Sequence, residues 1–221
     1  MIDSLPVSEL FLSLQGEGKD VGLPAFFIRI AGCNLAEQYG GCRWCDTKYA
    51  WKKSQGKKMS FEEILSEVPK EYPLHVCVTG GEPLSHENLV LFLELLGRHI
   101  KGWVTVETNG SIVLPYTRPS VSWAMDIKCP SSGMDGHNVY ANIERLHSGD
   151  QLKFVIADRK DYEFAKKLLT SFGWRSYQTV FQLAYEALDP AKLAKWLLED
   201  KLGVRLGLQQ QKIIWGVRRG V

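Results

Sequence analysis

Seven short apolar runs, at residues 25–30, 74–78, 103–107, 121–127, 151–156, 180–183 and 204–208, recur along the chain with polar or amphipathic stretches between them. Runs of this length, rich in Val, Ile and Phe, read as buried strands. Several intervening stretches carry helical periodicity. Ser60 and Glu63 form an S-x-x-E capping box, with Phe61, Ile64, Leu65 and Val68 sharing the face behind it. Residues 87–99 place Leu89, Phe92, Leu93 and Leu96 on one side; further helices are expected over about 161–169 and over 189–199, where Pro190 suits the first turn. Strands alternating with helices give a parallel α/β sheet. A chain of 221 residues holds about six such units, short of a closed eight-unit barrel. The expected fold is one domain over 1–221, an incomplete TIM-like barrel of about six parallel β/α units.

Composition narrows the function. The net charge of +2 gives no electrostatic footprint for nucleic acid or an anionic membrane, and no apolar run approaches the length of a membrane span. The opening MIDSLPVSEL has no basic patch followed by an apolar core, so no secretory signal is expected. Five cysteines, an odd number with three clustered, argue against a disulfide framework and for a cytoplasmic location.

In a parallel sheet, ligands bind at the carboxyl ends of the strands. Polar, glycine-rich sequence falls there: Thr79-Gly80-Gly81-Glu82-Pro83, Glu107-Thr108-Asn109-Gly110, Asp126-Ile127-Lys128, and Gln182. Glu82 beside exposed carbonyls suits an ammonium group, and Glu107 with Asn109 suits a ribose diol. A plain strand-to-helix turn and an Asn-Gly turn explain the same residues without a ligand. The run 25–30 leads into GCNLAEQYGGCRWCDT, where Cys33, Cys42 and Cys45 lie within one loop. A structural zinc site takes four closed ligands, whereas three thiolates on a four-iron cluster leave one iron open. Spacing alone leaves open three buried cysteines, a zinc site completed by a distant His, and a cluster.

With these motifs the chain resembles the radical S-adenosylmethionine (SAM) superfamily and, within it, the 7-carboxy-7-deazaguanine synthase family. The resemblance covers nearly the whole chain: LFLSLQGEG at 10–18, Gly22-x-Pro24, FIRIAGCN, CDTKYAW at 45–51, VTGGEP, VETNG, DIKCP at 126–130, LKFVI and the terminal IIWGVRRGV. It implies that Cys33, Cys42 and Cys45 hold a [4Fe–4S] cluster whose open iron chelates SAM. The reduced cluster would cleave SAM to a 5′-deoxyadenosyl radical. That radical would take a hydrogen atom from C6 of 6-carboxy-5,6,7,8-tetrahydropterin, whose ring would contract with loss of ammonia.

The resemblance also implies the site. Trp44, Asp46, Gly80, Gly81 and Glu82 would meet SAM, as would Glu107, Asn109, Asp126, Ile127, Lys128, Gln182 and Tyr185. Leu14, Gln15, Gly16, Glu17, Arg29, Thr79 and Val221 would meet the substrate, Arg29 through its carboxylate. Thr47 would bind Mg²⁺, an ion that prefers oxygen ligands. A small-molecule pterin, an electron donor such as flavodoxin or ferredoxin, and a second copy in a homodimer are the implied partners; nucleic acid and membrane are not.

Two departures stand out: eight residues separate Cys33 from Cys42 where the superfamily commonly has three, and Asp126-Ile127-Lys128 stands where many relatives carry Ser-Pro-Lys. The loop 33–45 is therefore a variant cluster loop, with 34–41 expected to bulge as polar loop. The stretch 52–58 reads as solvated loop, Cys77 and Cys129 as buried fillers, and the five histidines show no metal-ligand spacing. Two alternatives remain: an activase that makes a glycyl radical on a partner protein, and a non-enzymatic zinc-binding module.

Overall fold

A computed structural model describes residues 3–117, 119–173 and 178–221, with Gln178 described by its backbone alone. One sheet of nine strands organises the chain. Its parallel part runs in space through β2 (Pro24–Ile30), β4 (His75–Gly80), β5 (Trp103–Thr108), β6 (Val121–Ile127), β7 (Gln151–Ile156), β8 (Gln178–Leu183) and β9 (Arg205–Gly207). The seven expected runs are these seven strands, joined by six parallel pairings. The spatial order follows the chain order without reversal, as an open, partial barrel requires.

Two strands extend the sheet beyond that reading. β1 (Ser4–Leu14) pairs antiparallel with β2, and β3 (Lys57–Ser60) pairs antiparallel with β1 at the edge. The stretch expected to be loop at 52–58 therefore ends in a strand, after a 3-10 turn at Lys53–Gln55. Its two first residues, Lys57 and Lys58, are exposed, as suits an edge strand. The variant loop also differs: Asn34–Tyr39 forms a short helix, α1, closed by Gly40 at φ +85. Leu35 explains it, because it is buried against Cys33 and Met134 and so anchors a segment that is polar elsewhere.

The helices bury one face of the sheet. α2 (Phe61–Glu67) starts on the capping box, with Ser60 Oγ accepting from Glu63 N at 3.1 Å and Glu63 accepting from Ser60 N at 2.6 Å. α3 (Leu89–His99) lies between β4 and β5, α4 (Arg159–Phe172) between β7 and β8, and α5 (Pro190–Glu199) between β8 and β9. Asp158 and Asp189 cap α4 and α5 through side-chain oxygens. No α-helix separates β5 from β6 or β6 from β7 among the described residues; 3-10 turns fill the second connection. A short last helix, α6 (Gln210–Trp215), follows β9.

Strand alternation sorts the side chains. Phe26, Ile28 and Ile30 of β2, Val76 and Val78 of β4, Val104 and Val106 of β5 and Leu152, Phe154 and Ile156 of β7 join the helices in one large apolar core. The alternate positions, among them Arg29, Thr79, Glu107, Asp126, Lys153 and Gln182, face the other way and line a cavity. No helix among the described residues is long and apolar enough to cross a membrane.

Candidate active site

The cavity has a volume of about 460 Å³, enough for a small-molecule ligand. Most residues singled out in the sequence line it: Leu14, Gln15, Gly16, Glu17, Arg29, Trp44, Asp46, Thr47, Thr79, Gly80, Gly81, Glu107, Asn109, Asp126, Lys128, Gln182, Tyr185 and Val221, with Cys42 and Cys45. Many sit within strands rather than after them. Glu107 and Asp126 occupy inward positions on β5 and β6, and Gln182 does so on β8.

Glu82 and Ile127 stand apart. The Glu82 carboxylate is fully buried and accepts from Leu84 N at 3.0 Å, Thr108 Oγ1 at 2.9 Å and Asn109 N at 2.6 Å. Burial raises its pKa against those bonds. It ties the β4 and β5 ends together from behind the cavity wall. Ile127 points into the apolar core. The glycines before Glu82 are required sterically, since a Cβ on Gly81 would stand 2.5 Å from Gly32 O and 2.6 Å from Ala50 O. That close approach lets Gly81 N and Glu82 N donate to Ile30 O and Gly32 O, at 2.9 and 2.8 Å, fixing the entry to the cysteine loop.

At one end of the cavity, Thr79 Oγ1 donates to Glu107 at 2.9 Å, and Gln15 Nε2 reaches the other Glu107 oxygen at 3.4 Å. Arg29 lies nearby, its Nε held by Glu9 at 2.9 Å. Phe11 and Phe27, stacked with centroids 4.9 Å apart, form an apolar wall there. At the other end, Lys128 Nζ bonds Asp126 at 2.7 Å and lies 6.0 Å from the Trp44 ring centroid. Burial pulls the Lys128 ammonium toward its neutral form, but Asp126 and its neighbours outweigh this and hold its pKa above the ordinary lysine value. Asp126 Oδ1 and both polar atoms of Gln182 are buried without a hydrogen-bond partner. Such groups are rare in a finished core and are natural handles for a ligand.

The three loop cysteines are free thiols around this end. Cys33 is buried, and Cys42 and Cys45 stand on the cavity wall. Donors converge on the sulfurs: Trp51 Nε1 lies 3.2 Å and Thr47 N 3.4 Å from Cys45 Sγ, and Asn109 Nδ2 lies 3.9 Å from Cys33 Sγ. Desolvation pushes the pKa of Cys33 and of Cys42 up, so the free thiols stay protonated until a metal takes the proton's place. No three His, Cys, Asp or Glu side chains among the described residues converge on one metal ion. Three cysteines on one loop, two of them with N–H groups aimed at the sulfur, are a donor set that would suit an iron–sulfur cluster. Thr47 donates to Asp46 Oδ1 at 2.9 Å.

Several lining residues were not singled out in the sequence. Lys153 is inward on β7 and pairs with Glu17 at 3.0 Å. Gln209 and Lys212 come from the C-terminal segment: Gln209 Nε2 bonds Glu17 at 2.7 Å, and Lys212 Nζ bonds Asp46 at 2.7 Å. Gln210 N donates to Gly16 O at 2.9 Å, and a Cβ on Gly16 would meet the Gln211 side chain. The tail is thus laid over the β1–β2 turn, with Val221 reaching the cavity. A lysine inside LKFVI looks like a break in an apolar strand; only its alternation with Leu152 and Phe154 marks it as inward.

Comparison with known proteins agrees with this geometry. The model of the radical SAM superfamily matches residues 27–117. Over nearly its whole length the chain is 40% identical to the 7-carboxy-7-deazaguanine synthase of Koribacter versatilis (96% of this chain, 97% of that one). It is 38% identical to the synthase of Chlorobaculum tepidum (96% and 94%). The crystal structure of QueE from Escherichia coli superposes with a TM-score of 0.74 at 25% identity, covering 94% of each chain. These full-length likenesses favour neither a glycyl-radical activase nor a zinc module. A radical SAM enzyme uses a [4Fe–4S] cluster and SAM, and the three loop cysteines beside a cavity with unpartnered polar groups suit both. The chain belongs to the 7-carboxy-7-deazaguanine synthase family of radical SAM enzymes.

Proposed function

We propose that this chain converts 6-carboxy-5,6,7,8-tetrahydropterin into 7-carboxy-7-deazaguanine with loss of ammonia, as a carbon–nitrogen lyase of queuosine biosynthesis. The observation that carries the reading is the full-length likeness to synthases of that name together with one inward-facing constellation. Arg29, Thr79 and Glu107 stand on three adjacent strands beside the aromatic wall of Phe11 and Phe27. An arginine fork suits a carboxylate. Glu107, expected from the sequence to meet SAM, accepts from Thr79 and Gln15 on this wall and suits the N–H groups of a pterin ring instead. Leu14, Gly16 and Glu17 would border the same ligand, and Val221 would cap it.

The bound cluster and SAM supply the one-electron chemistry. The chain binds and orients around them. Cys33, Cys42 and Cys45 would hold the cluster. Trp44, Asp46, Gly80, Gly81, Asn109, Lys128 and Tyr185 would line the SAM end, where the open valences of Asp126 and Gln182 would take polar groups of that cofactor. Glu82 and Ile127 would act behind them, by fixing the loops from within. Mg²⁺ at Thr47, an electron donor such as flavodoxin or ferredoxin, a homodimer and a cytoplasmic location belong to the same proposal. The test is anaerobic incubation of reconstituted, reduced protein with SAM and the carboxypterin. Formation of the deazaguanine and ammonia in equal amounts is expected, because substrate and product differ by NH3 alone and the hydrogen atom taken from C6 has to be returned; cofactor cleavage that leaves the pterin unchanged refutes the assignment.

A further inference from the structure

One carboxylate outside the expected site is shared by two arginines. Glu9 Oε2 accepts from Arg29 Nε at 2.9 Å and from Tyr49 OH at 3.1 Å, while Glu9 Oε1 accepts from Arg219 Nε at 3.0 Å. The Arg219 guanidinium lies 3.7 Å from the Tyr49 ring centroid, closing the group with a cation–π contact. Arg219 is separated from Glu9 by 210 positions and stands two residues before Val221, which lines the cavity. Among the described residues only the Nε of Arg29 is hydrogen-bonded, so the two terminal nitrogens of its fork remain for a ligand.

A backbone irregularity brings Glu9 to this position. Val7 pairs with Ile30, but Glu9 pairs with Arg29, so the β1–β2 ladder carries one extra residue on β1. Without it Glu9 would oppose Ile28 and share a face with Val7, inside the apolar core. The bulge turns Glu9 to the cavity side, where Phe11 follows it, and sends Leu10 to the core. Burying a carboxylate among Leu5, Val7 and Ile28 would be prohibitive, so the bulge and the charge require each other.

We propose that Glu9 is a positioning residue that couples substrate-carboxylate recognition to closure of the C-terminal tail. One oxygen aims Arg29 and the other seats Arg219, so the fork is presented and Val221 is placed by the same group. This rests on the proposed function for the identity of the ligand, but not for the clamp. Glu9→Gln keeps the shape and weakens both charged bonds; Arg219→Ala, on an exposed tail, removes one of them with little threat to folding.

Two readouts decide the matter, both on reconstituted protein with SAM bound. The first is trypsin cleavage after Arg218 or Arg219, followed by intact mass without pterin. Loss of the tail is expected to be about tenfold faster in Glu9→Gln, and Arg219→Ala is expected to be cut after Arg218 as quickly. The double variant should be no faster than either single one. The second is steady-state kinetics. Glu9→Gln is expected to raise KM for the carboxypterin about tenfold, with kcat within about threefold, and Arg219→Ala to raise KM less. Cleavage rates within twofold of the parent, or a fall in kcat at unchanged KM, overturn the proposal. If the parent protein does not turn over the pterin, the functional assignment fails, and the cleavage rates still decide the clamp.

Discussion

The two faces of one sheet follow opposite rules. Toward the helices, β2, β4, β5 and β7 present Phe, Ile, Val and Leu at alternate positions, all buried in a single core. Toward the cavity, the same strands present Arg29, Thr79, Glu107 and Lys153. A parallel sheet covered on both faces reads as continuous apolar sequence. Here the second face is covered by a ligand cavity and by the chain's own tail. The outer face holds the fold by area removed from water, and the inner face holds charges that satisfy one another until a ligand arrives. Substitutions should therefore separate: outer ones lower stability without touching the site chemistry, and inner ones do the reverse or do both in a pH-dependent way.

The largest effect is expected at the cysteines. Cys42→Ser changes one atom on the cavity wall and leaves the outer core intact. Reconstituted protein should lose its iron and sulfide, its brown colour and all turnover, while the metal-free variant keeps the unfolding midpoint of the metal-free parent. A large drop in that midpoint would mean that the loop carries the fold and would break the comparison.

Next come the charges of the inner face. Lys153 and Glu17 are a mostly buried pair, and removing one partner of such a pair costs about 3–5 kcal/mol. Burial pushes the Glu17 carboxyl up, but Lys153 and the Gln209 hydrogen bond outweigh it, so its pKa in the folded chain lies below the ordinary 4.5. Glu17 likewise helps hold Lys153 above its ordinary 10.5. A lowered acid contributes stability above its unfolded pKa and loses it as the pH falls through the folded value. A raised base contributes below its unfolded pKa and loses it at higher pH. The pair thus stabilises fully between about 4.5 and 10.5. Lys153→Met should show its full deficit in urea melts at pH 7, and the gap to the parent should narrow below pH 4. An equal deficit at pH 7 and pH 3 would show that Lys153 acts through packing alone.

On the outer face, Leu93→Ala opens a cavity in α3 and should cost about 2–5 kcal/mol at every pH from 5 to 9. At temperatures where the variant is folded, KM for the pterin should stay within about twofold of the parent. A change in KM without a stability loss would mean that the helices steer the site directly.

The same division explains what the sequence disclosed. Outer-face residues recur locally with period two on strands and near four on helices, so the seven parallel strands and α2 to α5 could be read in order. The antiparallel β1 could not, because its residues are mostly half-buried and a bulge interrupts its alternation at Ser8. α6 is too short to show a period. At the site, motif residues such as Cys45, Gly81 and Glu107 were legible because each lies in a compact local pattern. Lys153, Gln209 and Lys212 were not, since their partners Glu17 and Asp46 lie 136, 192 and 166 positions away. Glu82 shows what a local motif does not disclose: its carboxylate also binds the ends of β4 and β5 together.

The smallest expected effect belongs to a feature that serves only the outer layer. Ser60 Oγ satisfies one of the free N–H groups at the start of α2, and Glu63 returns the bond to Ser60 N. Ser60→Ala removes the first bond and leaves Glu63 an acceptor with one remaining partner, for a loss of about 1 kcal/mol. The carboxyl of Glu63 is held below its ordinary range, chiefly by its bond to the Ser60 backbone N–H and then by the hydroxyl. Part of the loss should therefore disappear as the pH falls and that carboxyl takes up a proton in both proteins. Because α2 packs against α3 and β1 and none of its residues lines the cavity, turnover should not change. A change in KM from this substitution would show that the two faces are mechanically linked through β1, the strand that carries both Leu5 in the core and Glu9 at the cavity.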